Sequence, residues 1–193
     1  MANWPLLNTT LDLSMGRCYE AIHDQESQLT AYQAALRSDP NNIKVRIKLA
    51  QSLATNGRIP EAIDEFVQMQ SQATSDASRG EINLELARLY ILKARYDDDP
   101  RTLERANAHL ERIPQAAPIK PILLSEKLSI EGDQEGASDV LTAATEEHND
   151  NTQILVALAM RLHNKGNTKA AFEFLEQAIG QNEANADLRL AQA

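Results

Sequence analysis

The sequence predicts an all-α protein built from about five helix–turn–helix units in tandem. Three observations carry this expectation. The 193 residues are rich in Ala, Leu, Glu, Gln and Arg, with seven Gly, seven Pro and eight aromatic residues. That is a helix-former's composition with few breakers. Segments of the chain repeat one pattern at a spacing of 34 residues, the kind of period that marks stacked repeats. Within a segment, two apolar stripes at helical spacing flank a short break, and Gly57, Gly132 and Gly166 occupy matching places in those breaks. A glycine there suits a left-handed helix cap.

The units run over residues 9–42, 43–76, 80–117, 118–151 and 152–185, and residues 186–193 suit the start of a further or capping helix. The whole of 1–193 is expected to be a single repeat domain, or part of a longer array, since end repeats need capping. The second unit is the clearest. Ile47, Leu49, Ala50 and Leu53 mark one helix, "TNGR" breaks it, and Ile59, Ala62, Ile63, Phe66, Val67 and Met69 mark the next.

The third unit departs from the beat. Its first helix is expected over about 77–96 and its second from near Arg101, with a connection lengthened by roughly seven residues around "YDDDPR", Tyr96 to Arg101. Asp99 suits a helix N-cap and Pro100 the first helical position. A calcium loop would need a glycine and a glutamate at its twelfth place. "DDDPRTLERANA" has no Gly and ends on Ala108, so a cap and turn is the expected role.

The units align position by position. A large apolar residue followed by a small one sits in mid first helix: Met15-Gly16, Leu49-Ala50, Leu86-Ala87, Leu124-Ser125 and Leu158-Ala159. Tyr19, Leu53, Tyr90, Leu128 and Leu162 follow three residues later. The second helix carries Ala62, Ala106, Ala137 and Ala171 at its close contact, with Gln28 as the exception, then a larger residue: Tyr32, Phe66, Leu110, Leu141 and Phe174. This register resembles the tetratricopeptide repeat. Early in the first helix, where that family often has an aromatic residue or Leu, Asp12, Arg46, Asn83 and Pro121 stand instead and Leu155 alone conforms. The resemblance implies a right-handed α-α superhelix, a solenoid whose first helices line a concave side.

Composition narrows the function classes. The net charge of −9 argues against nucleic-acid binding. Residues 121–193 hold twelve Asp/Glu against five Lys/Arg, while residues 71–120 hold eight of each. No apolar run approaches the roughly 18 residues of a membrane span. The start "MANWPLLNTT" lacks the basic and apolar regions of a signal peptide. One cysteine, Cys18, forms no internal disulfide, which fits a reducing, cytoplasmic compartment.

No catalytic chemistry is legible. The four histidines, His23, His109, His148 and His163, fall at different repeat positions. Zinc, phosphate-loop and dinucleotide motifs are missing, and no nucleophile stands with a base. No cofactor, metal or catalytic residue is expected.

The resemblance implies a partner-binding concave surface formed by Arg17, Lys44, Ile47, Gln51, Leu84, Arg88, Ile91, Ile122, Glu126, Val156, Met160 and His163. Aliphatic patches with a few charges suit a peptide or protein partner. Some family members clamp a carboxylate terminus with Lys and Asn. The matching places here hold Leu13, Arg17, Lys48, Glu81 and Glu85, which spoil that clamp. The expected function is a non-catalytic interaction or scaffold module. The alternatives are a self-associating structural segment, a possible homo-oligomer, or a regulatory region of a larger enzyme-containing polypeptide.

Overall fold

The computed structural model describes residues 5–97 and 99–181. The expected helix over 186–193 lies outside the described residues. Among the described residues the chain is ten helices: α1 (Pro5–Ala21), α2 (Gln25–Ser38), α3 (Ile43–Thr55), α4 (Ile59–Gln72), α5 (Asp76–Ala94), α6 (Pro100–Leu110), α7 (Ile119–Ile130), α8 (Gln134–Glu147), α9 (Thr152–Asn164) and α10 (Thr168–Gln181). The fold is an all-α helical repeat. The chain divides into two compact units, Met1–Asp97 and Asp98–Ala193.

In the first unit each of α1 to α5 packs on the next helix in sequence. The joint between paired helices rests on the small residues. Gly16 on α1 lies so close to α2 that a Cβ there would overlap the Tyr32 ring. Tyr32 is fully buried, its hydroxyl donates to Glu20 Oε2 at 3.3 Å, and burial pushes the phenol's pKa up. In the next pair Ala50 and Ala62 are fully covered and Phe66 is buried between α3 and its neighbours. On α4 the buried stripe is Ile59, Ala62, Ile63, Phe66 and Met69. Val67, which the sequence places among them, is exposed, because it falls off that face.

In the second unit α6 packs on α7, α7 on α8, α8 on α9 and α9 on α10. The serine at the small position of α7 is buried, and its Oγ donates to the carbonyl of Ala137 on α8 at 2.6 Å. The last pair closes on Leu155, Ala159, Leu175 and Ala178. Here one expectation is corrected. Leu175, not Phe174, takes the large-residue place, since it stands four residues after Ala171; Phe174 packs at the edge of the cluster.

Polar residues early in the first helices replace the family's large apolar one by bonding. Arg46 Nη1 donates to Glu65 Oε2 and Gln68 Oε1, both at 2.9 Å, so α3 is tied to α4 through a charge-assisted contact. Asn83 Nδ2 donates to the Arg79 carbonyl, and its Oδ1 accepts from Gln70 Nε2 on α4.

The turn inside a pair is three residues long in four places: 22–24, 56–58, 131–133 and 165–167. Its middle residue has positive φ each time: His23 at 57°, Gly57 at 74°, Gly132 at 88° and Gly166 at 81°. Between α5 and α6 the chain behaves differently. The connection Arg95–Asp99 is five residues, and α5 has 19 residues where α3 and α9 have 13 each. Much of the extra length is therefore helix, not the seven-residue turn expected from the sequence. Asp97 pairs with Lys93 Nζ at 2.6 Å. Asp99 Oδ1 accepts from the amide of Arg101 at 3.0 Å, with Pro100 at the first helical position of α6. Asp98 lies outside the described residues.

His23 is the non-glycine member of this set, and a side chain in the left-handed region costs about 1 kcal/mol. His23→Gly is predicted to raise stability by about 0.5–1 kcal/mol in chemical denaturation, whereas Gly132→Ala lowers it by a similar amount. Equal stability of wild type and His23→Gly would contradict this assignment of strain.

Candidate functional site

The residues proposed from the sequence as a partner surface fall on two faces, one in each compact unit. In the first unit the face is built by α1, α3 and α5. Two polar contacts link these first helices side by side. Lys48 Nζ on α3 lies 3.6 Å from Glu20 Oε2 on α1, and Gln51 Nε2 on α3 donates to Glu85 Oε1 on α5 at 3.5 Å. Around them Arg17, Lys44 and Arg88 are exposed, and Ile47 and Leu84 are half-buried. Among the described residues none of these three cations forms a salt bridge. The face thus combines a shallow aliphatic floor with basic groups open to solvent.

Ile91 is corrected. It is 1 % exposed and belongs to the core, because α5 turns that side chain inward along with Leu86, Ala87 and Tyr90. Glu20 was not singled out by sequence reasoning. Its signal was its place one turn beyond Arg17 on the same helix. Lys48, one of the places compared with the carboxylate clamp, is engaged by Glu20, and Glu81 and Glu85 add negative charge to the same helix row.

In the second unit Ile122 and Glu126 on α7 are half-buried. Val156, Met160 and His163 on α9 meet Thr168, Phe172 and Leu175 of α10 around an open cleft of about 300 Å³. Sequence reasoning found the α9 wall and missed the α10 wall. Phe172 was legible as the counterpart of Ile63 in the second repeat. The His163 ring Nδ1 lies 3.2 Å from Thr168 Oγ1, closing one end of the cleft.

The histidines do not converge. His23 sits in a turn, His109 is buried on α6, His148 caps the C-terminus of α8 and His163 is exposed on α9. Among the described residues no three His, Cys, Asp or Glu side chains gather as a metal-ligand set. Cys18 is exposed on α1. No described helix is long and apolar enough to cross a membrane.

The repeated pairing of helices through small residues, with a positive-φ turn inside the pair, defines a helical-repeat protein. The tetratricopeptide repeat family matches residues 152–185, the α9–α10 pair. The fold of the whole chain is that of tetratricopeptide-repeat proteins. A thermophilic tetratricopeptide protein of Thermus thermophilus is similar with a TM-score of 0.72 and 19 % identity, covering 95 % of this chain and 96 % of that one. YrrB, a tetratricopeptide protein with an unusual peptide-binding site, is similar with a TM-score of 0.53 and 16 % identity, covering 94 % and 90 %. The general transcriptional corepressor ssn6 of Schizosaccharomyces pombe is 31 % identical over 87 residues, which is 45 % of this chain and 8 % of the corepressor.

Burial holds the His109 imidazole below its ordinary pKa, and the neighbouring Arg112 charge acts in the same direction. The unfolded chain therefore takes up this proton more readily than the folded one. The resulting stability is present above about pH 6.5 and is lost as pH falls through the lower folded-state value. Lowering pH from about 7 to about 5 is predicted to lower the urea midpoint, and His109→Gln removes part of that dependence. Identical pH slopes in the two chains would contradict this role for His109.

Proposed function

We propose that the chain is a non-catalytic interaction module that binds a peptide or protein partner on the exposed face of its first helices. In the first unit this face comprises Arg17, Lys44, Ile47, Gln51, Leu84 and Arg88. In the second unit Ile122, Glu126, Val156, Met160 and His163 supply the corresponding surface. Ile91 is left out because it is buried.

The observation that carries this reading is in the first unit. α1, α3 and α5 stand in a row linked by Lys48–Glu20 and Gln51–Glu85, while Arg17, Lys44 and Arg88 remain exposed around Ile47 and Leu84. A preformed helix row costs little ordering on binding. Aliphatic anchors dock on its floor, and exposed cations select carboxylates at the rim. The partner of the first unit is accordingly a segment carrying aliphatic side chains and acidic groups. The similarity to a tetratricopeptide protein that has a peptide-binding site supports the reading at the level of fold.

The test is a pull-down with the wild-type chain and with Lys44→Glu/Arg88→Glu, followed by titration of the captured partner. Both side chains are exposed, so the variant is expected to keep its helical circular dichroism. Its affinity is predicted to fall by about tenfold, the size of two partly screened ion pairs. Undiminished binding by the variant would exclude this face as the docking surface.

A further inference from the structure

The joints between successive helix pairs follow one rule within each compact unit. The third, seventh and tenth residues of a first helix face the preceding pair. In α3 these are Val45, Leu49 and Ser52, and in α5 they are Ile82, Leu86 and Leu89. All six are buried, with α3 packed on α2 and α5 on α4. In α9 the tenth residue shows its neighbours directly. Arg161 Nε donates to Ser138 Oγ at 3.2 Å, and Arg161 Nη2 donates to Gln134 Oε1 at 2.7 Å, both on α8.

The same seam exists on α1 as Leu11, Met15 and Cys18, extended by Ile22. There it is open: Leu11 is 58 %, Met15 40 % and Ile22 69 % exposed, and Cys18 is exposed with them. The α9–α10 cleft is open in the complementary sense. Its walls correspond to the surface of α3 and α4, with Phe172 standing where Ile63 does and Thr168 where Ile59 does. Ile59 and Ile63 are buried, whereas Phe172 is 46 % and Met160 60 % exposed.

We infer that the chain associates head to tail with a second copy of itself, the α1 seam of one copy seating in the α9–α10 cleft of the other. The counterpart of this cleft is the surface on which a first helix, α5, packs inside the first unit. α1 is a first helix of the same register, and its seam residues are aliphatic or small where those of α3 and α5 are aliphatic or small. No charged side chain stands in the seam, so covering it strands no ion. The two surfaces differ, which makes the contact heterologous and able to propagate. The α8–α9 joint sets the register. Where Arg161 meets Gln134 and Ser138, Cys18 of one copy meets Thr168 and Phe172 of the other. This association does not use the Lys44–Arg88 face, and the variants that test it leave that face unchanged.

The experiment uses the full 193-residue chain carrying Thr168→Cys. Diamide accepts the two thiol hydrogens when a disulfide forms. The expected result is a ladder of covalent dimers and higher species that collapses to one band on reduction. The wild type, with Cys18 alone, and Cys18→Ser/Thr168→Cys both remain a single band. Sedimentation of the wild type shows its mass rising with concentration, and Phe172→Glu abolishes that rise at unchanged circular dichroism. A wild type that stays monomeric at every concentration overturns the inference. So does crosslinking of either single-thiol chain, or a disulfide that closes within one molecule.

Discussion

The structure depends on how closely the two helices of a pair can approach. Side chains on facing helices must interdigitate at the density of an organic crystal, and a small residue at the crossing sets the distance. Gly16, Ala50, Ser125 and Ala159 provide it on first helices, with Ala62, Ala137 and Ala171 opposite on second helices. The large residue four places later fills the space beside that crossing: Tyr32, Phe66, Leu141 or Leu175. Size is traded across the joint. Where the large residue is Tyr32, the crossing has no room for a methyl group and glycine stands there. Where it is Leu141, a serine fits and adds a hydrogen bond to the opposite backbone.

Much of this was legible in the sequence, because a 34-residue period puts chemically similar residues at structurally similar places. The large–small pairs and the turn glycines identified an all-α repeat without any structure. The misreadings have physical causes. Phe174 drew attention by its size, but the four-residue spacing from Ala171 selects Leu175. Val67 looked like part of a stripe whose width the sequence does not give. Ile91 lies at a repeat position that is exposed elsewhere, yet here it is buried. The extra residues of the third repeat were assigned to a turn, and propensity alone did not reveal that α5 extends through much of them. The division at Asp97–Asp98 was not foreseen either, since a repeat pattern says nothing about which joints are most compact.

The acidic run at that division illustrates how local chemistry accounts for residues that look functional. Asp97 is held by Lys93 and Asp99 by the start of α6. The surface features that local structure does not use are of two kinds. One is the row of exposed cations on α1, α3 and α5. The other is apolar surface at joint positions, on α1 and in the α9–α10 cleft, that elsewhere in the same units is covered. The first kind is suited to steering and orienting a charged partner. The second kind is suited to continuing the packing that already builds the fold.

The central claim, that helix spacing is set by the size of the residue at the crossing, is tested most directly by a double-mutant cycle at Gly16 and Tyr32, read from denaturant unfolding. Gly16→Ala in the wild-type chain is predicted to destabilise by about 1–3 kcal/mol through overlap with the Tyr32 ring. In a Tyr32→Leu background, which reproduces the Ala159–Leu175 combination, the same substitution becomes neutral or stabilising by up to about 1 kcal/mol, since alanine is the better helix former. An equal cost of Gly16→Ala in both backgrounds would contradict the claim.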